Sequence, residues 1–180
     1  MGKIRNILFI MADQLRADYL SCEGHPTLRT PNVDGLAARG VRFDHAYVQA
    51  PVCGPSRMSF YTGRYVASHR SIWNFVPLPV GERTIGDYLR PTGMRVALAG
   101  KTHMAGDTDG LRRLGIDDGH TGWTSATECG FEPFDRDDGI YPKGLFPRLD
   151  TKYADFLRAN GYEADNPWDD YANAAEPLGK

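Results

Sequence analysis

The run Asn6-Ile7-Leu8-Phe9-Ile10-Met11, halted at Asp13, constrains the fold more than any other stretch. It is apolar without alternation, which predicts a strand buried on both faces. Such strands belong to parallel sheets whose faces are covered by helices. Helix signals follow. Thr30-Pro31-Asn32 starts a helix, with Thr30 as cap, Pro31 in the first turn, and Leu36 and Ala37 facing inward before Gly40. Val41 to Val48 alternates apolar and polar residues and reads as a second strand. A helix over Pro55–Thr62 has Pro55 at its first position and Gly63 as a left-handed terminator. The Pro-rich passage Val76 to Gly81 is a loop. Thr84 to Leu89 reads as a helix, with Thr84 as cap and Asp87 three residues on. Arg95 to Ala99 is a short buried strand, and Gly100-Lys101-Thr102-His103 lies at its carboxyl end. Strands alternating with helices predict an α/β fold, a mostly parallel mixed sheet sandwiched by helices.

After Ala105 the pattern weakens. Asp107–Asp118 and Phe131–Pro147 read as long loops, Thr151–Asn160 as a helix closed by Gly161, and the stretch from Asn166 to Lys180 has little periodicity. Loops this long are unusual in a self-contained domain. The expected division is therefore residues 1–105 as an α/β portion, and 106–180 as a loop-rich insertion and helix.

A chain of 180 residues would bury roughly 70% of its unfolded surface as one domain. Its 41% apolar and 24% charged content is that of a soluble globular protein. A net charge of −2 gives no reason to expect nucleic acid or an anionic membrane as partner. Cys22, Cys53 and Cys129 stand far apart with no C-x-x-C pair, which argues against a disulfide framework or a structural zinc site. The apolar run after Met1 is too short for a signal-peptide core or a membrane span, so the expected compartment is cytoplasmic. Gly2 is not a myristoylation site on this pattern, because position 6 is Asn.

Several residues could carry chemistry. Asp13 sits where the first predicted strand stops, and ligands gather at the carboxyl ends of strands in open α/β sheets. A carboxylate there suits a hard divalent cation, with the Gln14 amide oxygen as a weaker second ligand. The alternative is a turn or N-cap aspartate. Lys101 and His103 end another strand, and alternation along an extended segment would aim both the same way. A cation and an imidazole together suit an oxyanion substrate; the alternative is a pair of ordinary loop residues. Asn74 reads as a polar contact or a loop amide, and His45, His69 and His120 as structural. Asp107-Thr108-Asp109-Gly110 fails the calcium-loop pattern at Leu111 and Arg112.

Cys53 opens Cys53-Gly54-Pro55-Ser56-Arg57, just before the predicted helix start. There its side chain would face free backbone N–H groups and the positive end of the helix dipole, an anion site. A cysteine phosphatase loop needs Arg at the sixth position after Cys; that position is Ser59. A Cys–His hydrolase stays open because pairing is spatial. An inert buried cysteine is the common fate of a free thiol, although Pro51, Gly54 and Pro55 argue for a loop.

The same pentapeptide matches the Cys-x-Pro-Ser-Arg signature of the type I sulfatases. Asn6 to Gln14, Thr30 to Ala37, Gly40-Val41-Arg42-Phe43, Pro51 to Ser59, Thr62-Gly63 and Gly100 to His103 occur in an order that resembles the N-terminal part of that alkaline phosphatase superfamily group. The segment from His69 through Asn74 to Leu78, and Gln14 after Asp13, also resemble the sister phosphonate monoester hydrolases. The resemblance implies an alkaline-phosphatase-like fold, incomplete in this chain. It implies hydrolysis of an aryl or alkyl sulfate by a formylglycine made from Cys53, with a formylglycine-generating enzyme as maturation partner. It implies catalytic roles for Cys53, Arg57, Lys101 and His103, and substrate contacts from Asn74 and Lys101. One divalent metal, calcium first with magnesium or manganese as alternatives, would contact Asp13, Gln14 and residue 53. The family's downstream Asp-His pair has no counterpart here, since Asp44-His45 is followed by Ala46. The isolated chain is therefore expected to be an inactive fragment of a longer hydrolase. Phosphonate monoester or phosphodiester hydrolysis is the enzyme alternative, and an interaction module with Cys53 unmodified is the non-enzyme one. The long loops after Ala105 leave a homo-oligomer open.

Overall fold

The computed structural model describes residues 5–138 and 151–162. The expectations for Met1 to Ile4, for the later part of the 131–147 loop and for the 166–180 stretch lie outside them. The architecture is α/β, with helices and a parallel sheet. The chain divides into two units, Met1–Tyr47 and Val48–Lys180.

In the first unit, two 3-10 turns, Ala17–Tyr19 and Ser21–Glu23, lead to helix α1, Pro31–Arg39. Thr30 does not cap α1 with its side chain. Its hydroxyl is committed elsewhere: Ser21 N–H donates to Thr30 Oγ1 at 3.0 Å, and Thr30 N–H to Ser21 Oγ at 2.8 Å. Ser21 Oγ also donates to Asp34 at 2.6 Å, which ties the turn to the helix. Arg42 Nη1 donates to the Cys22 carbonyl at 2.6 Å.

Neither strand expected in this unit forms. Residues 6–11 and 41–48 take no sheet structure, and Leu8 and Val41 are 85% and 80% exposed. An extended run becomes a strand only when a neighbour takes its N–H and C=O groups. Among the described residues of this unit, no second strand stands beside either run. Leu36, expected to face inward, is 60% exposed, with Ala37 half-buried.

The second unit opens with α2, Cys53–Thr62, closed by Gly63 in the left-handed region as expected. Its helix begins two residues earlier than read from Pro55, with Val52 as the N-cap residue. Short α3, Val66–His69, follows, then α4, Ile85–Leu89. The Thr84–Asp87 capping box forms as expected: Asp87 accepts the Thr84 N–H at 2.9 Å. The Thr84 hydroxyl donates to the Cys129 carbonyl at 2.6 Å, fastening α4 to residues far along the chain.

Strand β1, Ala97–Gly100, pairs in parallel with β2, Glu132–Arg136. The strand expected at Arg95–Ala99 is thus displaced, and it is half-buried rather than buried, alternating exposed and intermediate. Arg95 instead lies outside the strand and pairs with Glu132 on the surface. The register runs Leu98 to Pro133 and Ala99 to Asp135, with a bulge between. Pro133 has no N–H to give, and prolines in sheets sit at edges or bulges.

Regular elements stand within the expected loops of 107–118 and 131–147, and a further helix forms between them. Helices α5, Thr108–Arg113, and α6, Trp123–Thr127, fill the crossover from β1 to β2. Asp107 caps α5 by accepting the Gly110 N–H at 2.8 Å, so the Asp-rich stretch is a helix start. The element within 131–147 is β2 itself. Helix α7, Lys152–Ala159, forms as expected with Thr151 as cap, and Gly161 adopts a positive φ. The core of this unit joins Met58 and Tyr61 of α2 to Leu78, Met104, Cys129 and Phe131, with Val96 and Leu98 against them. Tyr61 meets Phe131 edge-on at 4.9 Å. Among the described residues no helix is long and apolar enough to cross a membrane.

Candidate active site

Helix α2 is placed by its buried face, Met58 and Tyr61 in the core, and its first residue is Cys53. The Cys53 thiol is half-buried. β1 ends at Gly100, whose φ of 85° turns the chain, and Lys101 follows. This turn carries Lys101 Nζ to 3.6 Å from Cys53 Sγ. The buried Arg57, one turn along α2, donates from Nη1 to the Lys101 carbonyl at 2.7 Å. One side chain thus ties the helix to the strand end that bears the lysine. Burial pushes the Tyr61 hydroxyl up, while the charge and hydrogen bond of Arg57 pull it back in part.

Asn74 approaches the same helix start. Its Oδ1 accepts the Gly54 N–H at 2.7 Å. A Cβ on Gly54 would meet Asn74 Cα and Oδ1 at 3.0 Å, so the approach uses the missing side chain. The expected ring of free N–H groups is not present. Gly54 donates to Asn74, Ser56 donates to the Val52 carbonyl at 3.1 Å, and Pro55 has no N–H. Charge near residue 53 comes from Lys101, not from a vacant helix turn.

His103 departs from the expected alternation. Residues 101–105 form no strand, and His103 has φ 47°. Its ring packs 5.1 Å from Phe75, the neighbour of Asn74. Its backbone is held by Asp138, which accepts the N–H groups of Thr102 at 2.6 Å and His103 at 2.7 Å. Arg136 Nε pairs with the other Asp138 oxygen at 2.9 Å, while its Nη2 donates to the Met104 carbonyl at 2.7 Å. Burial raises the Asp138 carboxyl, but the two N–H bonds and Arg136 outweigh it, leaving it below the usual carboxylate range. Asp138 and Arg136 were missed in the sequence because Pro133 hid β2. The rule that singled out Asp13, a carboxylate at a strand's carboxyl end, would have found Asp138 had that strand been recognised.

The second unit thus links Cys53, Arg57 and Lys101 by direct contacts, with Asn74 held at Gly54 and the His103 ring beside Phe75. Asp13 and Gln14 belong to the first unit, where Gln14 has φ 56°. Among the described residues no three His, Cys, Asp or Glu side chains converge on a metal position. A hard divalent cation wants about six to eight oxygens, and the donors described do not by themselves fit one. A cavity of about 690 Å³ lies elsewhere in the second unit, lined by residues such as Arg83, Arg90, His120 and Ser125. Arg90 is engaged there, donating to Ser125 Oγ and the Gly130 carbonyl, both at 2.5 Å.

Comparison with known proteins shows the family of the chain. The family model described as Sulfatase matches residues 5–129. Arylsulfatase A of Homo sapiens is 34% identical over 178 residues, 91% of this chain and 34% of that protein. The multifunctional alkaline phosphatase superfamily protein PehA of Trinickia caryophylli is 34% identical over 167 residues, 78% of this chain and 32% of its own. Among solved structures, the phosphonate monoester hydrolase of Agrobacterium radiobacter is similar with a TM-score of 0.63 and 30% identity, over 86% of this chain and 28% of that one. The chain spans about a third of the length of the curated relatives it matches.

Proposed function

We propose that this chain, which belongs to the sulfatase family, carries the nucleophile end of an enzyme that hydrolyses sulfate esters. The observation that supports the reading most is the Lys101 ammonium 3.6 Å from the side chain of Cys53 at the first residue of α2. Residues 1–105 are read as the N-terminal part of the catalytic domain, and 106–180 as an insertion leading to a further C-terminal part. Turnover then belongs to the longer polypeptide, not to this portion alone.

Cys53 is the residue to be converted to formylglycine by a formylglycine-generating enzyme, with molecular oxygen as the oxidant and a thiol as the co-reductant: the C–S bond breaks, sulfur leaves as hydrogen sulfide, one oxygen atom becomes the aldehyde oxygen and the other leaves as water. One hydroxyl oxygen of the hydrated aldehyde would attack the sulfate sulfur and expel the alcohol of the ester; loss of the proton from the second hydroxyl would then re-form the C=O bond as the C–O bond to sulfate breaks, releasing sulfate and restoring the aldehyde. The position suits an oxygen side chain, because the ammonium beside it is a donor. Lys101 would neutralise the sulfate oxygens where charge builds up. Asn74, its carbonyl oxygen held by the Gly54 N–H, would turn its amide N–H groups to a substrate oxygen. His103 would hold or take the proton of the second hydroxyl. Arg57 would act on both partners, through the Lys101 carbonyl and through its positive charge. Asp13 and Gln14 are assigned to one divalent cation, calcium before magnesium or manganese, with the remaining donors from outside the described residues.

Gln14 after Asp13 and the likeness to phosphonate monoester hydrolases support a second reading, hydrolysis of phosphonate monoesters or phosphodiesters by the same nucleophile. Parallel assays of the complete polypeptide on an aryl sulfate and an aryl phosphonate monoester separate the two. The expected result is turnover of the sulfate, abolished by Cys53→Ala and largely kept by Cys22→Ala. Preference for the phosphonate would establish the second reading, and undiminished activity in Cys53→Ala would end both.

A further inference from the structure

The segment after β1 is bent at His103 in a way that a residue with a side chain does not favour. Gly100 takes φ 85° and His103 φ 47°. For a residue with a side chain such as histidine, that region costs energy and persists only when the surroundings hold it. The holder is visible. One Asp138 oxygen accepts both successive N–H groups of the bend, at 2.6 and 2.7 Å, and the Thr102 hydroxyl at 3.0 Å. Charge-assisted bonds of this kind are short and roughly twice as strong as neutral ones. The carboxylate is 7% exposed and Thr102 is fully buried, so water competes little. Arg136 fixes the carboxylate in turn, and is itself held by Glu128 at 3.1 Å. Lys101 precedes the clamped pair directly, with its carbonyl held by Arg57.

We propose that Asp138 is a positioning residue: it clamps the bend after β1 so that Lys101 is presented to residue 53 and His103 to the space beside Phe75. Asp138 touches no reacting atom and acts only through those two side chains. The inference rests on the reading that Lys101 meets the sulfate group. Without the clamp the bend relaxes toward ordinary backbone, and the ammonium leaves its place.

Inorganic sulfate is the probe, its affinity measured by calorimetric titration of the complete polypeptide alongside thermal melting. Lys101→Ala, Asp138→Asn and Asp138→Glu are compared with the unmodified chain. Both Lys101→Ala and Asp138→Asn are expected to weaken sulfate binding by about tenfold, the equivalent of one good contact. Asp138→Glu keeps the charge on a longer arm and is expected to fall between Asp138→Asn and the unmodified chain. If Lys101→Ala weakens binding while Asp138→Asn only lowers the melting temperature, Asp138 is merely structural and the inference is overturned. If Lys101→Ala changes nothing, or no sulfate binds, the reading of Lys101 itself falls and carries the inference with it. Should Asp138→Asn fail to fold, Asp138→Glu decides: affinity equal to the unmodified chain overturns the proposal.

Discussion

Two free thiols, Cys53 and Cys129, stand in opposite surroundings. Cys129 is buried in the core, and burial pushes its thiol up to about 12. It is an inert packing group whose carbonyl is used to fasten α4. Cys53 is half-buried beside an ammonium. His69 is the other residue whose surroundings decide its state. It is fully buried, its Nδ1 accepts the Ser71 N–H at 3.2 Å, and its Nε2 pairs with Ser59 Oγ of α2 at 2.9 Å. Nδ1 is therefore a lone pair, and protonation would break the Ser71 bond. Burial, the largest effect, lowers its tendency to protonate, with Arg64 acting the same way and Glu82 opposing. The unfolded chain takes up this proton near pH 6.5 while the folded chain does not, so this contribution is complete above that pH and lost as pH falls below it. Melting temperature should decline from pH 7 towards pH 5, and His69→Gln should flatten that decline. A melting temperature unchanged over this range in the parent chain would contradict the account. His69 was legible in the sequence only as structural, because Ser59 and Ser71 meet it through the fold and not through spacing.

At the scale of elements, local chemistry was readable and pairing was not. Gly63, the Thr84–Asp87 box and the Gly161 helix end are decided within a few residues, and each is found where read. The strands at 6–11 and 41–48 were inferred from apolar pattern alone, yet a strand is a property of two segments. β2 was missed for the converse reason: Pro133 speaks against a strand, and the bulge opposite Leu98 and Ala99 accommodates it. One element contact gives a sharp test. Gly86 of α4 lies so close to Gly130 that a Cβ would stand 2.1 Å from the Gly130 carbonyl oxygen and 2.6 Å from its carbon. Backbone cannot swing aside as a flexible side chain would. Gly86→Ala gains helix propensity of up to about 1 kcal/mol but overpacks at a cost of about 1–3 kcal/mol. The melting temperature is expected to fall; a rise would show that α4 and residue 130 are not in contact as described.

At the scale of the molecule, the sulfatase-like order of motifs was legible across the first hundred residues, and the family model covers residues 5–129. The candidate site was legible as residue types and only in part as geometry. Cys53 beside Lys101 follows from the start of α2 lying near the end of β1, whereas Asp138 depends on a strand that local pattern conceals. The proposed activity rests on what becomes of one side chain, that of residue 53. Mass spectrometry of the peptide containing residue 53, taken from active polypeptide, tests that most directly. The account predicts a mass reduced by the loss of sulfur and two hydrogens and raised by one oxygen, with the aldehyde captured by a hydrazide. An unmodified cysteine at that position in protein that still turns over aryl sulfate would contradict it.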